Sequence, residues 1–546
     1  MFQNIGMLHF LRSNEQSVYL KILLVVLLSI GFFLRFHSLE TIPFPADTDE
    51  LVKTFDAYSI SKTCRDKSGE FLPILQRGVG NGDYSPFLFS WLEIVPINLF
   101  GFSLFSGRLT SAIIGFLTIF LVFVIVKNLA NYYVAIIALL FIAVSPWHIL
   151  NSRIAHEGAT LPAFFIVVMI ILYQRILSHG YKPYYIIPLG FVIGFSANAY
   201  TASRVSSFLL SILFFSILVF GLRKLRSNYF KAIFLYFNSV LIGAAPQIWA
   251  MLKSPEHFFG RFDSEINKSI TISKFTSNIL SYYSPDFLFL SHNHWDLAQG
   301  PGLTSIEMPF FYIGIAYIIF SINKEGYANR LMLFGISLTC LIAPSVCLIN
   351  PVSIRSASVI PLFHIFSAFG VWFIWQIFLT LIQKWIFSFV LKDKNFFLIT
   401  IIVGVTLLNS YFIFSNFLSS DQYKADGRKP HFVEIALWLK AHHAEYDKVI
   451  VDCSTREFDL FYMYVIFYVI ENPDDLDKME KVGQFSSEVD TYQRIGKFYF
   501  EKSILKNLYK NNNEKTLLIL KDIKIAYQPA IHSIKWQNAV YRAYSN

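Results

Sequence analysis

A mainly α-helical, polytopic membrane protein with a small α/β unit at its C-terminal end is the fold class that three observations predict. The 546 residues are 54% hydrophobic and only 15% charged, and the mean hydropathy is +0.48, outside the range of ordinary soluble domains. Apolar runs near the roughly 20 residues needed to cross a bilayer recur along most of the chain. Beyond position 420 they give way to short stretches that alternate between helical and strand-like periodicity.

The first span, Val18 to Phe36, ends in Arg35 and His37 and has no small-residue cleavage site, so it reads as an uncleaved anchor. Further spans are expected near 108–127, 132–149, 158–177, 184–200, 205–222, 229–251, 303–322, 329–349, 356–380 and 396–416, about eleven in all. The segment Pro86 to Gly101 carries Glu93 and Pro96 and as a helix reaches only about 24 Å, short of a roughly 30 Å hydrocarbon core. Loop charge decides its placement. If it lies in the interface, Lys127, Arg175 with Lys182, and Arg223 with Lys224, Arg226 and Lys231 all fall on the cytoplasmic side. So do Lys324 with Arg330, and Lys384 with Lys392 and Lys394, as the positive-inside rule requires. If it spans, every cluster moves outside. The N-terminus is therefore expected in the cytoplasm and the C-terminus outside.

This topology gives a transmembrane catalytic domain over 1–418, with outward loops at 37–107 and 253–302, and an extracytoplasmic α/β domain over 419–546. A polar linker, Lys424 to Pro430, leads into a helix-like run from His431 to His443 and a strand-like one from Lys448 to Cys453. A helical stretch from Glu457 to Ile470 and strands at Thr516 to Lys521 and Ser533 to Arg542 follow.

The net charge of +9 does not indicate nucleic acid, because Lys and Arg sit in short clusters between apolar runs rather than along one face. Cys64, Cys340, Cys347 and Cys453 lack metal-ligand spacing, and two lie inside apolar segments, so no disulfide framework is implied.

The chemistry is expected at Pro45-Ala46-Asp47-Thr48-Asp49-Glu50, where three carboxylates sit beside a lipid boundary. Ionisable groups are costly there, which makes function the default reading and a solvated loop the bland one. Single arginines, Arg108, Arg153, Arg204 and Arg355, fall in the short outward connections, on the side disfavoured for cations. They share that side with Asp47, Asp49, Glu50, Asp83 and Glu157, suggesting a polar chamber at the outer leaflet; snorkelling to lipid phosphates explains any one arginine, but four less well. Leu51 to Ser61 places Leu51, Phe55, Tyr58 and Ser59 on one helical face, as an in-plane amphipathic helix does. Such a groove suits a lipid-carried substrate, with guanidinium groups for a phosphate and carboxylates to activate a hydroxyl.

In order along the chain, Asp49-Glu50, Phe55-Asp56-Ala57-Tyr58-Ser59-Ile60, Thr63, Arg65-Asp66, Gly69 and Phe71-Leu72-Pro73 closely resemble the first outward loop of bacterial membrane glycosyltransferases of family 39. These are relatives of dolichyl-phosphate-mannose:protein mannosyltransferases and of lipid A aminoarabinose transferases. The likeness continues through Gly82-Asp83-Tyr84, Pro86, Phe105-Ser106, Arg108-Leu109, Ser145-Pro146-Trp147-His148, Ser152-Arg153 and Glu157. It persists more faintly in Tyr200-Thr201, Arg204, Pro351, Arg355 and Pro361. The resemblance implies a GT-C fold, a sugar donor on a polyprenyl phosphate, and an active site at the outer face of a plasma or inner membrane. It gives Asp49 the role of base, or of a residue organising the base, with Glu50 in support, and it makes Asp83, Tyr84, Arg108, Arg153, Glu157, Arg204 and Arg355 substrate-binding candidates. Arg261, within Phe259-Gly260-Arg261-Phe262, is a further phosphate candidate, with a surface arginine as the equal alternative. The implied partners are the polyprenyl-phosphate sugar, membrane lipids and an acceptor that is a protein, a glycolipid or a glycan.

One departure stands out: many relatives carry Asp-Tyr-Lys-Pro, with the lysine as a phosphate contact, whereas this chain reads Asp83-Tyr84-Ser85-Pro86. Metal use stays open, since Asp49, Glu50 and Glu157 suit a divalent cation as well as a proton. His292, His294 and Asp296 have metal-compatible types but read as a polar loop, and His148 reads as an interfacial hydrogen-bonder. Alternatives from other classes are a non-catalytic family member, a lipid or sugar transporter, and an oligosaccharide polymerase or ligase. A transporter calls for ionisable residues near the midplane and inverted repeats. Here the charges gather at one surface and no repeat is visible.

Overall fold

The computed structural model describes residues 18–79, 82–222, 229–290, 302–322, 326–385, 402–404, 406–408, 411, 428–453, 460–485, 490–501, 515–521, 530–536 and 539–545. In chain order its first helices are α1 (Val18–Phe36), α2 (Thr48–Thr63), α3 (Leu88–Phe100), α4 (Leu104–Leu129), α5 (Tyr132–Ala143), α6 (Pro146–Asn151), α7 (Leu161–His179), α8 (Pro183–Phe195) and α9 (Thr201–Leu222). Then come α10 (Tyr229–Lys253), α11 (Pro255–Glu265), α12 (Ile272–Ser281), α13 (Glu307–Phe320), α14 (Tyr327–Ser345), α15 (Ile360–Trp385), α16 (Pro430–His442), α17 (Phe461–Val465) and α18 (Pro473–Lys478). Two compact units emerge, each discontinuous in sequence: 1–39 with 108–255 and 262–422, and 40–107 with 256–261 and 423–546.

The first unit holds the membrane helices. Among the described residues, seven helices are long and apolar enough to cross a bilayer: α1, α4, α7, α9, α10, α14 and the helical run Ile354–Thr380 that includes most of α15. Three of the expected spans are shorter pieces. The run at 132–149 breaks where Ser145 caps α6, its Oγ accepting from the His148 amide at 3.3 Å, with Pro146 opening the new helix. The run at 184–200 is the 13-residue α8 followed by a 3₁₀ turn at Ser196–Asn198, and α13 has 14 residues. The span expected at 396–416 lies largely outside the described residues, as do His292, His294 and Asp296.

Buried polar side chains tie these helices together. Arg35, near the end of α1, donates to the carbonyls of Gly31 (2.9 Å), Ala143 (3.0 Å) and Ile142 (3.0 Å). It also donates to His148 Nδ1 at 2.8 Å, which makes His148 a buried acceptor that fixes the α5–α6 corner. His364 of α15 pairs with Glu307 of α13 at 2.8 Å, both fully buried. The same two helices cross at glycines: a Cβ on Gly314 would lie 1.8 Å from the Phe366 carbonyl oxygen, and one on Gly370 1.9 Å from that of Phe310. Backbones approach this closely in membrane proteins only where small residues permit it.

The second unit joins residues 40–107 to the tail. Strands β1 (Leu75–Arg77) and β2 (Tyr84–Pro86) form an antiparallel pair with Gln76 opposite Ser85. The tail sheet comprises β3 (Lys448–Asp452), β4 (Lys481–Phe485), β5 (Asp490–Ile495), β6 (Phe498–Glu501), β7 (Thr516–Lys521), β8 (His532–Trp536) and β9 (Ala539–Ser545), in spatial order β4-β5-β6-β3-β7-β9-β8. Among the described residues the parallel pairings are those of β3 with β6 and with β7, on its two sides. It buries both faces, with Val449 and Val451 in one cluster and Ile450 in the other. The single strand expected at 533–542 is instead an antiparallel pair, β8 with β9.

Ala46, Leu51, Val52 and Phe55 share one core with Phe432, Val449, Phe461 and Tyr464 of the tail. Helix α2 is therefore buried on most sides rather than along one stripe: Val52, Thr54, Asp56 and Ala57 are enclosed as fully as Leu51 and Phe55. Helix α3 is 13 residues long, about 20 Å, and exposes Val95, Leu99 and Phe100 while burying Glu93. Arg428, in the stretch expected to be a solvated linker, is buried.

Candidate functional site

Asp47 is the N-cap of α2, and a capping box forms because the Asp47 amide donates to Glu50 Oε1 at 3.1 Å. Asp49 and Glu50 thus fall in the first turn, where the helix dipole favours negative charge. Their surroundings differ. Glu50 is buried, and its Oε1 also accepts from Arg428 Nη1 at 3.2 Å, whereas Asp49 is partly exposed. Arg428 donates to the Pro45 carbonyl as well, and the Tyr464 hydroxyl donates to the Ala46 carbonyl at 3.4 Å. Burial and the neighbouring Asp49 push the Asp47 carboxyl up to about 6, with Arg428 opposing.

A folded-state value above the ordinary one means that the neutral acid stabilises the fold. That stability is complete below about pH 4 and is lost as pH rises through about 6. Asp47→Asn keeps an equally good N-cap and removes the charge. It is expected to raise the melting temperature at pH 7.5 and to leave it unchanged at pH 4, read by thermal unfolding in detergent.

One turn along α2, Lys53 is buried and donates to the hydroxyl of Ser85, on β2. Beside it Asp83 accepts from Arg261 Nη1 at 2.8 Å, and Tyr84 stacks on His257 with ring centroids 4.1 Å apart. This closeness depends on two glycines: a Cβ on Gly260 would come within 2.7 Å of the Gly82 carbonyl oxygen, and Gly82 has φ +68°. Asp83, Tyr84 and Arg261 are thereby brought together. Asp56 holds the following loop, accepting from the Lys67 amide at 3.0 Å and its ammonium at 3.4 Å.

The other candidates belong to the membrane unit. Arg108 donates to the Leu39 carbonyl at 3.0 Å, and Arg153 to those of Leu34 (2.8 Å), His37 (2.6 Å) and Ser38 (3.2 Å). Both arginines are buried and satisfy carbonyls at the end of α1 and just beyond it, which lack helical partners. Glu157 is buried beside His156, 3.7 Å away. Arg204 Nε donates to Gln247 Oε1 at 3.0 Å, and Arg355 Nη2 to Glu265 Oε2 at 2.6 Å. Arg355, Tyr200, Ser203 and Ser358 line a small pocket, with room for about one water molecule, whose remaining wall includes Pro162, Phe165 and Met169. Among the described residues no group of three or more His, Cys, Asp or Glu is placed to hold a metal ion.

Sequence reasoning missed Lys53, His257, Glu265, Arg428 and Tyr464. Lys53 alone carried a local signal, lying four residues after Asp49 on the same helix. The rest meet their partners across long stretches of chain.

Residues 84–249 match the family described as dolichyl-phosphate-mannose-protein mannosyltransferase. Among curated proteins none matches this chain. Of solved structures, ArnT from Cupriavidus metallidurans bound to undecaprenyl phosphate aligns with a TM-score of 0.57 at 11% identity, covering 96% of this chain and 98% of its own. The same protein in its apo state gives 0.56 at 10% identity, covering 96% and 97%. The oligosaccharyltransferase AglB from Archaeoglobus fulgidus, in complex with an inhibitory peptide and a dolichol-phosphate, gives 0.50 at 15% identity over 83% of this chain. This chain spans 64% of that protein's length. The fold is accordingly GT-C, as expected, and residues 84–249 are similar to the dolichyl-phosphate-mannose-protein mannosyltransferase family.

Proposed function

We propose that this chain is an integral membrane glycosyltransferase that moves a sugar from a polyprenyl-phosphate donor to an acceptor hydroxyl at the outer face of the membrane. The observation that carries this reading is the difference in exposure within the first turn of α2: Glu50 is buried, while Asp49 beside it is partly exposed to solvent. In the proposed step Asp49 takes the acceptor proton as the hydroxyl oxygen attacks the anomeric carbon. The bond from that carbon to the phosphate oxygen breaks, polyprenyl phosphate leaves, and configuration inverts. Charge developing on the phosphate calls for fixed cations. Arg355, opening on a part-apolar cavity, and Arg204 are the candidates in the membrane unit.

Lys53 answers the missing lysine at position 85. Its ammonium lies against the Ser85 hydroxyl, so a cation stands beside the Asp83-Tyr84-Ser85-Pro86 motif after all, supplied from α2. Lys53→Met, which keeps the length of the stem and removes the charge, is expected to raise the donor KM about tenfold, the effect of roughly 1.4 kcal/mol. The function is tested with purified protein in liposomes and a panel of radiolabelled undecaprenyl-phosphate monosaccharides, following both transfer and hydrolysis. Turnover of one member identifies the sugar; binding without turnover across the panel favours a non-catalytic partner or a transporter.

A further inference from the structure

We propose that Arg428, contributed by the tail, is a positioning residue of this site, holding Glu50 and the turn before α2 so that Asp49 presents its carboxylate to the acceptor. The inference rests on the glycosyl-transfer reading of Asp49.

Arg428 and Tyr464 of the tail pin the residues that flank Asp49. Arg428 Nη1 bridges the Pro45 carbonyl and Glu50 Oε1, and the same Oε1 receives the Asp47 amide at 3.1 Å. Tyr464 donates to the Ala46 carbonyl, and Ala46, Leu51 and Val52 pack into the tail core. The guanidinium is thus the electrostatic and geometric tie between a domain that carries no proposed catalytic group and the turn that carries the base. Its charge also matters, because three carboxylates fall within four positions, 47 to 50, and one of them is fully enclosed. An exposed ion pair contributes little. Removing one partner of a buried pair leaves an uncompensated charge inside the protein. Here the displaced charge belongs to the residue next to the base, and a shift of about 1 Å in a reacting group costs on the order of 10²-fold in rate. Lysine keeps the charge and can donate to two acceptors, but its flexible stem does not hold the donors as the planar guanidinium holds Nη1 between Pro45 and Glu50.

The test uses the full-length protein and the undecaprenyl-phosphate monosaccharide that the wild type turns over fastest, comparing Arg428→Ala, Arg428→Lys and Asp49→Asn. Arg494→Ala is the control, since Arg494 pairs with Glu480 on the tail surface. Arg428→Ala is expected to lose about 10- to 100-fold in kcat with the donor KM within about twofold. Arg428→Lys is expected to recover part of that loss at an unchanged melting temperature, and Arg494→Ala to match the wild type. Wild-type kcat in both Arg428 variants, beside an inactive Asp49→Asn, overturns this inference and leaves the transfer reading standing. Loss of kcat that merely tracks a fall in melting temperature, with no recovery by lysine, overturns it too. A fully active Asp49→Asn instead removes the reading on which the inference rests.

Discussion

Asp49→Asn is expected to lower the turnover of sugar transfer by about 10²- to 10⁴-fold, the usual contribution of a positioned general base, while undecaprenyl-phosphate binding stays within about twofold of wild type. Asparagine has the shape of aspartate but cannot take a proton at neutral pH, so what is lost is proton removal rather than packing. The helix start survives, because the capping box is formed by Asp47 and Glu50 and not by Asp49. The measurement is single-turnover transfer at saturating donor alongside equilibrium binding of undecaprenyl phosphate. Unchanged turnover rejects Asp49 as the base; loss of donor binding in step with turnover assigns it to recognition instead of proton transfer.

Gly314→Val is expected to cost about 3 kcal/mol or more of stability, at or beyond the upper end of the usual overpacking range. A Cβ at this position lies 1.8 Å from the Phe366 carbonyl oxygen, a backbone atom that cannot swing aside as a flexible side chain can. Helix α13 must therefore separate from α15, and the buried contact between Glu307 and His364 sits on the same pair of helices. Gly370→Val meets the mirror-image obstacle at Phe310 and is expected to behave alike. Gly335→Ala in α14 is the control, because a Cβ there meets nothing within 4 Å and alanine gains roughly 0.5 to 1 kcal/mol in a helix interior. Melting temperatures in detergent decide the matter: equal losses at Gly314 and Gly335 refute the close-crossing argument.

The membrane region was legible in the sequence because long apolar runs and asymmetric Lys and Arg loops are local signals. The recognisable order of motifs from Asp49 to Arg355 pointed to the GT-C fold, which structural similarity bears out. Breaks inside the apolar runs were less visible. Ser145-Pro146 reads as a turn only once one sees α5 end at Ala143. The site was legible in its residue types and much less in its partners. Arg153 and Arg108 announced themselves as isolated cations on the disfavoured side, yet each binds backbone carbonyls around the end of α1. Arg428 announced nothing, lying in a run of Lys, Asp, Gly and Pro that any composition rule assigns to solvent. Its burial depends on a contact 378 residues away, and no window of local periodicity contains that information.

That separation also bears on how the protein is made. Ribosomes add about 5–20 residues each second, so the Asp47–Glu50 turn is synthesised roughly 20 to 75 s before Arg428, given the 378 residues between Glu50 and its partner. For that interval the nascent chain carries its acidic turn without the residues that order it. If Arg428 positions this site as proposed, full competence to react is acquired only as a late event of biosynthesis, and a chain that stops short of Arg428 is expected to react more slowly than the full-length protein.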